Sequence, residues 1–366
     1  MIELEEVRQA ILRAAELPDS AAKVDALESL CREALQLNGF LDAFRGQLHL
    51  LNACKAVVRP DRMLAAYTAL RSNFEQHGHD WPESLAGYMV RAGALVLSFV
   101  DSFPEIPRSQ LDALFADQEQ LHLARGESIS VVLEARAWLE LDAGNLERAR
   151  DAYERLRTTP PAESWCAPCR INRQVSMLVR LDDDTAIALA APLLDGPRKC
   201  DTVPSSTWAT LLLPLARQGN WERARDYYGR AHRSALSSPQ WLGSAAKVIT
   251  FAAIEGSFVK GKHLLERCLP HAFEPTAKDS IRDFYVAASV FFEALGRERT
   301  TITMTTPATF PLHARDGRYD VAALRSWFED AARQLALAFD RRNGNDFHVK
   351  RLATASDVLA LRPRAA

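Results

Sequence analysis

Along most of this chain apolar residues return every three to four positions, the spacing of one face of an α-helix, with charged residues on the other faces. The opening MIELEEVRQAILRAAELPD is such a stretch. Further helices are expected over Leu41–Val57, from Asp61 after Pro60, from Trp81-Pro82 to about Asp101, and from Arg108 to Ala124, with SFPEIPRSQL breaking the last two apart. Beyond the middle of the chain the pattern predicts helices over Lys278–Leu295, over Asp320–Asp340 stopping at the Asn-Gly of RRNGN, and over Asp346–Leu361. TTITMTTPATFPLHARDG (300–317) is rich in Thr and Pro and has no helical period, which marks it as a linker or loop.

The middle of the chain repeats itself. DAGNLERARDAYERL (142–156) has a near twin in RQGNWERARDYYGRA (217–231), a third copy in IEGSFVKGKHLLERCLP (254–270), and a one-residue-tighter fourth in LDDDTAIALAAPLL (181–194). Their turn residues Gly144, Asp182, Gly219 and Gly256 stand 38, 37 and 37 residues apart. Ala149, Ala224 and Gly261 put a small residue at one offset from each glycine. Glycine tolerates the left-handed conformation that ends a helix sharply, and a small residue lets two helices approach closely. This order resembles the tetratricopeptide repeat, a helix pair of about 34 residues, and Gly144, Ala149, Tyr153 and Pro160 fit its template. The resemblance implies an all-α solenoid of antiparallel helix pairs, wound as a right-handed superhelix, over residues 1–299 and clearest over 127–272. A linker or loop would cover 300–317, and C-terminal helices in 318–366 would pack on the solenoid or cap it.

Composition narrows the function classes. With 48% apolar and 25% charged residues the chain can bury a full core. Lys and Arg number 45 against 47 Asp and Glu, and a net charge of -2 gives no general attraction to nucleic acid or anionic lipid. The N-terminal residues lack the basic and apolar regions of an export signal, and no apolar stretch nears the roughly 20 residues of a membrane span, so a cytoplasmic location is expected. Signatures of phosphate-binding loops, dinucleotide folds, serine hydrolases and zincins are missing.

Six cysteines in 366 residues do not make a disulfide framework, but three of them form a pattern: SWCAPCR (164–170) and, after thirty intervening residues beyond Cys169, Cys200 ahead of a Val-Pro turn. One reading makes Cys166 and Cys169 a redox dithiol, since Trp-Cys-Ala-Pro-Cys-Arg is like a thioredoxin active site, although thioredoxins place a buried strand before it and here a charged helix precedes. A second makes Cys166, Cys169 and Cys200 three thiolate ligands of a structural zinc, with Cys268, His232, His271 or Asp201 as candidates for a fourth. A third leaves free thiols at loop ends. His77, His79 and Asp80 of QHGHDW suit a solvated turn, while His263, His271, Asp182–Asp184 and Arg341-Arg342 suit helix ends, where such charges complement the dipole.

WCAPC, CDTVPSS, LLLPL (211–215), FPEI (103–106) and AFDRRNG (338–344) together resemble a group of uncharacterised bacterial, mainly actinobacterial, tetratricopeptide-type proteins. Those carry a Cys-Pro-x-Cys phrase and then a Cys-x-x-Val-Pro-His phrase. This chain departs from them at Trp165, where they have an acid, at Pro168, one place later than theirs, and at Ser205, where they have the histidine. The resemblance implies the fold and no activity.

The expected function is therefore that of a non-enzymatic, regulatory scaffold for a protein or peptide partner, held on the concave face lined by the first helix of each pair. Arg136, Arg173, Gln174 and Trp208 are candidates for that face, while Trp138, Trp208 and Trp241 equally suit an inter-repeat core. The alternatives are a thiol redox protein using Cys166 and Cys169, and a sensor that responds to a peptide or a metal.

Overall fold

In the computed structural model the described residues are 3–162, 166–194, 200, 202–234 and 241–362. The helices run α1 (Leu4–Glu16), α2 (Ala21–Gln36), α3 (Phe40–Ala56), α4 (Pro60–His77), α5 (Ser84–Val100), α6 (Arg108–Ala124), α7 (Ser130–Asp142), α8 (Leu146–Thr158) and α9 (Ala167–Leu178). They continue with α10 (Asp183–Leu194), α11 (Ser205–Arg217), α12 (Trp221–Ser234), α13 (Leu242–Glu255), α14 (Phe258–Cys268), α15 (Lys278–Gly296), α16 (Val321–Asn343) and α17 (Phe347–Ala353). Helix makes up 77% of the structure and strand almost none, so the class is all-α with packed helix pairs. No helix among the described residues is long and apolar enough to cross a membrane.

The chain divides into two units, one of Met1–Ala135 with Thr158–Pro161 and one of Arg136–Arg157 with Ala162–Ala366. This division falls inside the stretch expected as one solenoid. In the first unit successive helices from α1 to α6 pack on one another. Asp42 is buried there and takes Arg8 Nε and Nη2 on its two oxygens at 2.9 and 3.2 Å. Phe44, Phe74 and Trp81 form an aromatic cluster with centroids 5.1 to 5.9 Å apart. His77 stacks on Phe40 and His79 makes an exposed pair with Asp80, so the histidine pair of QHGHDW sits in a surface turn.

In the second unit α9 packs on α10, α11 on α12 and α13 on α14, while α9, α11, α13 and α15 pack in series. The repeated phrases build one turn three times. Gly144, Gly219 and Gly256 sit at φ +79°, +73° and +76°. After each, the next residue's N–H reaches back to the first helix: Asn145 to Glu140 O at 2.8 Å, Asn220 to Leu215 O at 2.9 Å, and Ser257 to Ala252 O at 2.9 Å. This left-handed cap uses up carbonyls that the helix end leaves over. The fourth copy lacks the glycine, and Asp182 Oδ1 instead accepts from the N–H groups of Asp184 and Thr185 at the start of α10. Ala149, Ala186, Ala224 and Gly261 are all buried, and a Cβ on Gly261 would lie 2.4 Å from Phe291 Cε2.

Segment 300–317 is a packed loop of this unit and not a free tether. Thr301–Thr303 (β1) pairs antiparallel with Arg318–Asp320 (β2), Ile302 facing Tyr319. Ile302, Met304, Phe310 and Tyr319 point inward, with Phe310 against Trp327 and Phe328 at 4.8 and 5.8 Å. Toward the C-terminus α16 packs on α15 and α17 on α16, and Ala355–Leu361 is 3-10 helix.

Both Gly144→Ala and Gly219→Ala force an L-residue into the left-handed region, at about 1–2 kcal/mol. A Cβ at 144 also meets Phe347 at 2.5 Å, whereas at 219 it meets nothing within 4 Å. Urea unfolding is therefore expected to show Gly144→Ala as the more destabilising of the two; equal losses would mean that Phe347 yields freely.

Candidate ligand cavity and thiol cluster

A cavity of about 340 Å³ opens on the second unit. Its wall is a series of helical stripes from the first helix of each pair: Trp138 and Asp142 on α7, Ser176 of α9 with Arg180 just beyond it, Thr210 to Arg217 on α11, Gly243 to Thr250 on α13, and Asp279 to Val290 on α15. The second helices α8, α10, α12 and α14 contribute no lining residue. His348, Arg351 and Leu352 of α17 close one side. Most of the wall is apolar, and Asp142, Arg180, Lys247, Arg282, Asp283 and Arg351 are its charged members closest to one another.

Arg282 organises these charges. Its Nη1 and Nη2 donate to Asp142 Oδ2 and Oδ1 at 3.4 and 3.1 Å, and Nε and Nη2 donate to Asp283 Oδ1 at 3.1 and 3.0 Å. Nη1 also lies 3.4 Å from His348 Nε2. A guanidinium cannot accept, so this contact is a hydrogen bond in the tautomer that carries the imidazole proton on Nδ1; Nε2 also stands 3.6 Å from Asp142 Oδ2. Phe339 packs under the guanidinium, 4.7 Å from Cζ to the ring centre. Burial alone would raise the Asp142 carboxyl, but Arg282, with His348 and Arg180 behind it, holds it far below the usual carboxylate range. Burial, reinforced by Arg282, pushes His348 down to about 3.

The remaining cations are less well matched. Lys247 is half-buried and its ammonium donates to the neutral Thr210 Oγ1 at 2.8 Å. Burial lowers it to about 8, with Asp283 pulling the other way. Arg180 stands 3.8 Å from Asp142 Oδ1 and is lowered to about 10, again by burial first. Arg217 turns to Asp183 at 3.2 Å. With Arg217 paired to Asp183, Arg180, Lys247, Arg282 and Arg351 face three carboxylates, Asp142, Asp279 and Asp283, and the neutral His348 adds no charge. A cleft with such an excess favours an anion, since a buried charge is costly until it is paired.

None of the four residues expected on the ligand face lines this cavity. Arg173 lies over Trp138, and Trp208 lies under Arg230 of α12. Trp138 is on the wall, while Trp241 is buried in the core. Sequence reasoning passed over Lys247, Arg282 and His348, although one signal was there: Lys247 is the single charged residue between Leu242 and Ile254.

The three patterned cysteines do come together. Cys166 is the N-cap of α9, Cys169 lies in its first turn, and Cys200 precedes the turn into the neighbouring α11. Their sulfurs all lie within 4.8 Å of one another, and Cys169 Sγ is 3.2 Å from Cys200 Sγ. The sulfurs seen in direct contact thus include one from outside the Cys-x-x-Cys phrase. Thr202 Oγ1 stands 3.7 Å from Cys169 Sγ and 3.6 Å from Cys200 Sγ. Burial and the neighbouring Cys200 sulfur raise the Cys169 thiol. Burial works the same way on Cys200, but hydrogen bonds from Thr202 outweigh it and lower that thiol. Cys31, Cys54 and Cys268 are buried elsewhere, and neither His232 nor His271 joins the group. His232 Nε2 faces Lys260 O at 3.3 Å, and His271 pairs with Glu274 at 3.1 Å. Trp165 and Asp201 lie outside the described residues.

Arg282→Leu is expected to cost about 3–5 kcal/mol in urea unfolding, because it strands buried carboxylates. A loss under 1 kcal/mol would mean that water repairs the site. The lowered His348 sets a pH dependence: between its ordinary 6.5 and about 3 the unfolded chain binds the proton that the folded chain refuses, so acidification removes stability. His348→Gln lacks this contribution, and the stability gap between wild type and variant should narrow from pH 7 to pH 4 by up to about 1.4 kcal/mol per pH unit. A gap that does not change with pH would place the His348 pKa near its ordinary value. No model of a known protein family matches the chain, and no curated protein matches it.

Proposed function

We propose that the protein is a non-enzymatic helical-repeat scaffold of tetratricopeptide type, which binds a protein or peptide partner and receives an acidic group of that partner in the cavity of its second unit. The observation that carries this reading is the cavity wall, drawn from the first helix of successive pairs and from none of the second helices. Such a face is where helical-repeat scaffolds take an extended chain. The repeated left-handed turns at Gly144, Gly219 and Gly256 and the buried small residues behind them support the repeat type.

The charges favour binding over proton-transfer chemistry. Arg282 holds Asp142 ionised, and His348 at about 3 is neutral throughout the neutral range. Lys247, at about 8, is the group nearest to neutrality, and an anion beside it would stabilise its charged form. Binding then draws a proton in the range above pH 8 and weakens as the free lysine loses its charge.

A random peptide library, screened by fluorescence polarisation, tests this. Wild type should select peptides with Asp or Glu within an apolar sequence, lose them when the acid is replaced by its amide, and bind them at least tenfold more weakly as Lys247→Met. Selection that ignores the acid, or that survives Lys247→Met unchanged, would overturn the reading.

A further inference from the structure

We propose that Cys166, Cys169 and Cys200 bind one zinc ion as thiolates, joining the start of α9 to the start of α11. The proposal is independent of any ligand in the cavity and rests on the geometry of the sulfurs. Four-coordinate zinc with Zn–S of about 2.3 Å sets its sulfur ligands about 3.8 Å apart, and here all three sulfurs fall within 4.8 Å of one another. A disulfide would occupy two of them and leave the third without a reason to be there. Three soft thiolates without a carboxylate or imidazole among them suit zinc over a hard cation.

The helix end also offers something to a negative charge, against the burial that raises Cys169 while no cation is present. Cys166 and Cys169 lie at the N-terminal end of a twelve-residue helix, whose free N–H groups and dipole favour negative charge. Thr202 Oγ1 is within reach of both Cys169 Sγ and Cys200 Sγ as a hydrogen-bond donor of the kind that orients metal ligands. Binding displaces the three thiol protons to solvent, so affinity rises with pH. Cys166 is exposed, so a water molecule could reach a bound ion as its fourth ligand. The clamp holds together the ends of two helices whose later residues line the cavity.

The test uses the full chain, made without a histidine tag or chelator and kept reduced. Elemental analysis is expected to find about one zinc per chain in wild type and in Cys268→Ser, and a loss of zinc in Cys169→Ser and Cys200→Ser. Cobalt added to the metal-free wild type should give a thiolate-to-metal charge-transfer band whose intensity drops in proportion when Cys166 is replaced by Ser. Should the serine variants fail to fold, wild type alone decides: a chelator should release zinc and expose three further thiols to a thiol reagent under native conditions. Reduced wild type that takes up no zinc when it is offered would overturn the proposal. So would zinc release that exposes no thiols, or a Cys268→Ser variant that loses the metal as fully as Cys169→Ser.

Discussion

Arg282 has no water to fall back on. It is buried, and a guanidinium keeps its charge under any condition in which the protein is folded, so the fold must surround it with acceptors. Those acceptors come from far apart in the chain: Asp142 at the end of α7, Asp283 beside it on α15, and His348 on α17, with the Phe339 face of α16 beneath. Four helices are thereby held to one cation. The arrangement is costly to assemble, because buried ions repay their desolvation only when the geometry is good, and it is costly to disturb for the same reason.

The same interaction gives the cavity its character. Asp142 and Asp283, the acids closest to Lys247 and Arg180, already answer to Arg282, which leaves those two with a neutral hydroxyl and a 3.8 Å contact. The surplus of positive charge is therefore a consequence of structure, set by how the carboxylates are shared. It lies in a wall that is otherwise mostly apolar, so under the proposed function a partner would be selected both for an acid and for what lies next to it.

The repeat was legible in the sequence because each feature of the turn demands one residue type. A left-handed cap wants glycine at 144, 219 and 256, and the close approach behind it wants alanine or glycine at 149, 224 and 261. The cysteine group was legible for a related reason: its members stand at the beginnings of neighbouring first helices, where the repeat period brings them together. Two things were not legible. Arg282 and Asp142 are 140 residues apart, and no local pattern marks one as the partner of the other. Segment 300–317 lacks a period, which reads alike in a tether and in a loop filled by its own side chains; burial of Phe310 and Met304 decides between them, and burial is a tertiary fact.

Phe347, which sits over the Gly144 turn, belongs to a tie between the two ends of the second unit. Asn345 Nδ2 donates to Ala143 O at 2.7 Å across 202 residues, beside the Phe347 ring. An open array of helix pairs can fold from any point and spread outward, since each pair needs only its neighbour. Here the last helices rest on the first turn, so no end of the unit is complete until the other has arrived. Closing such a long loop is slow and rewards the chain only at the finish. The unit is therefore built to gain or lose its structure as a whole.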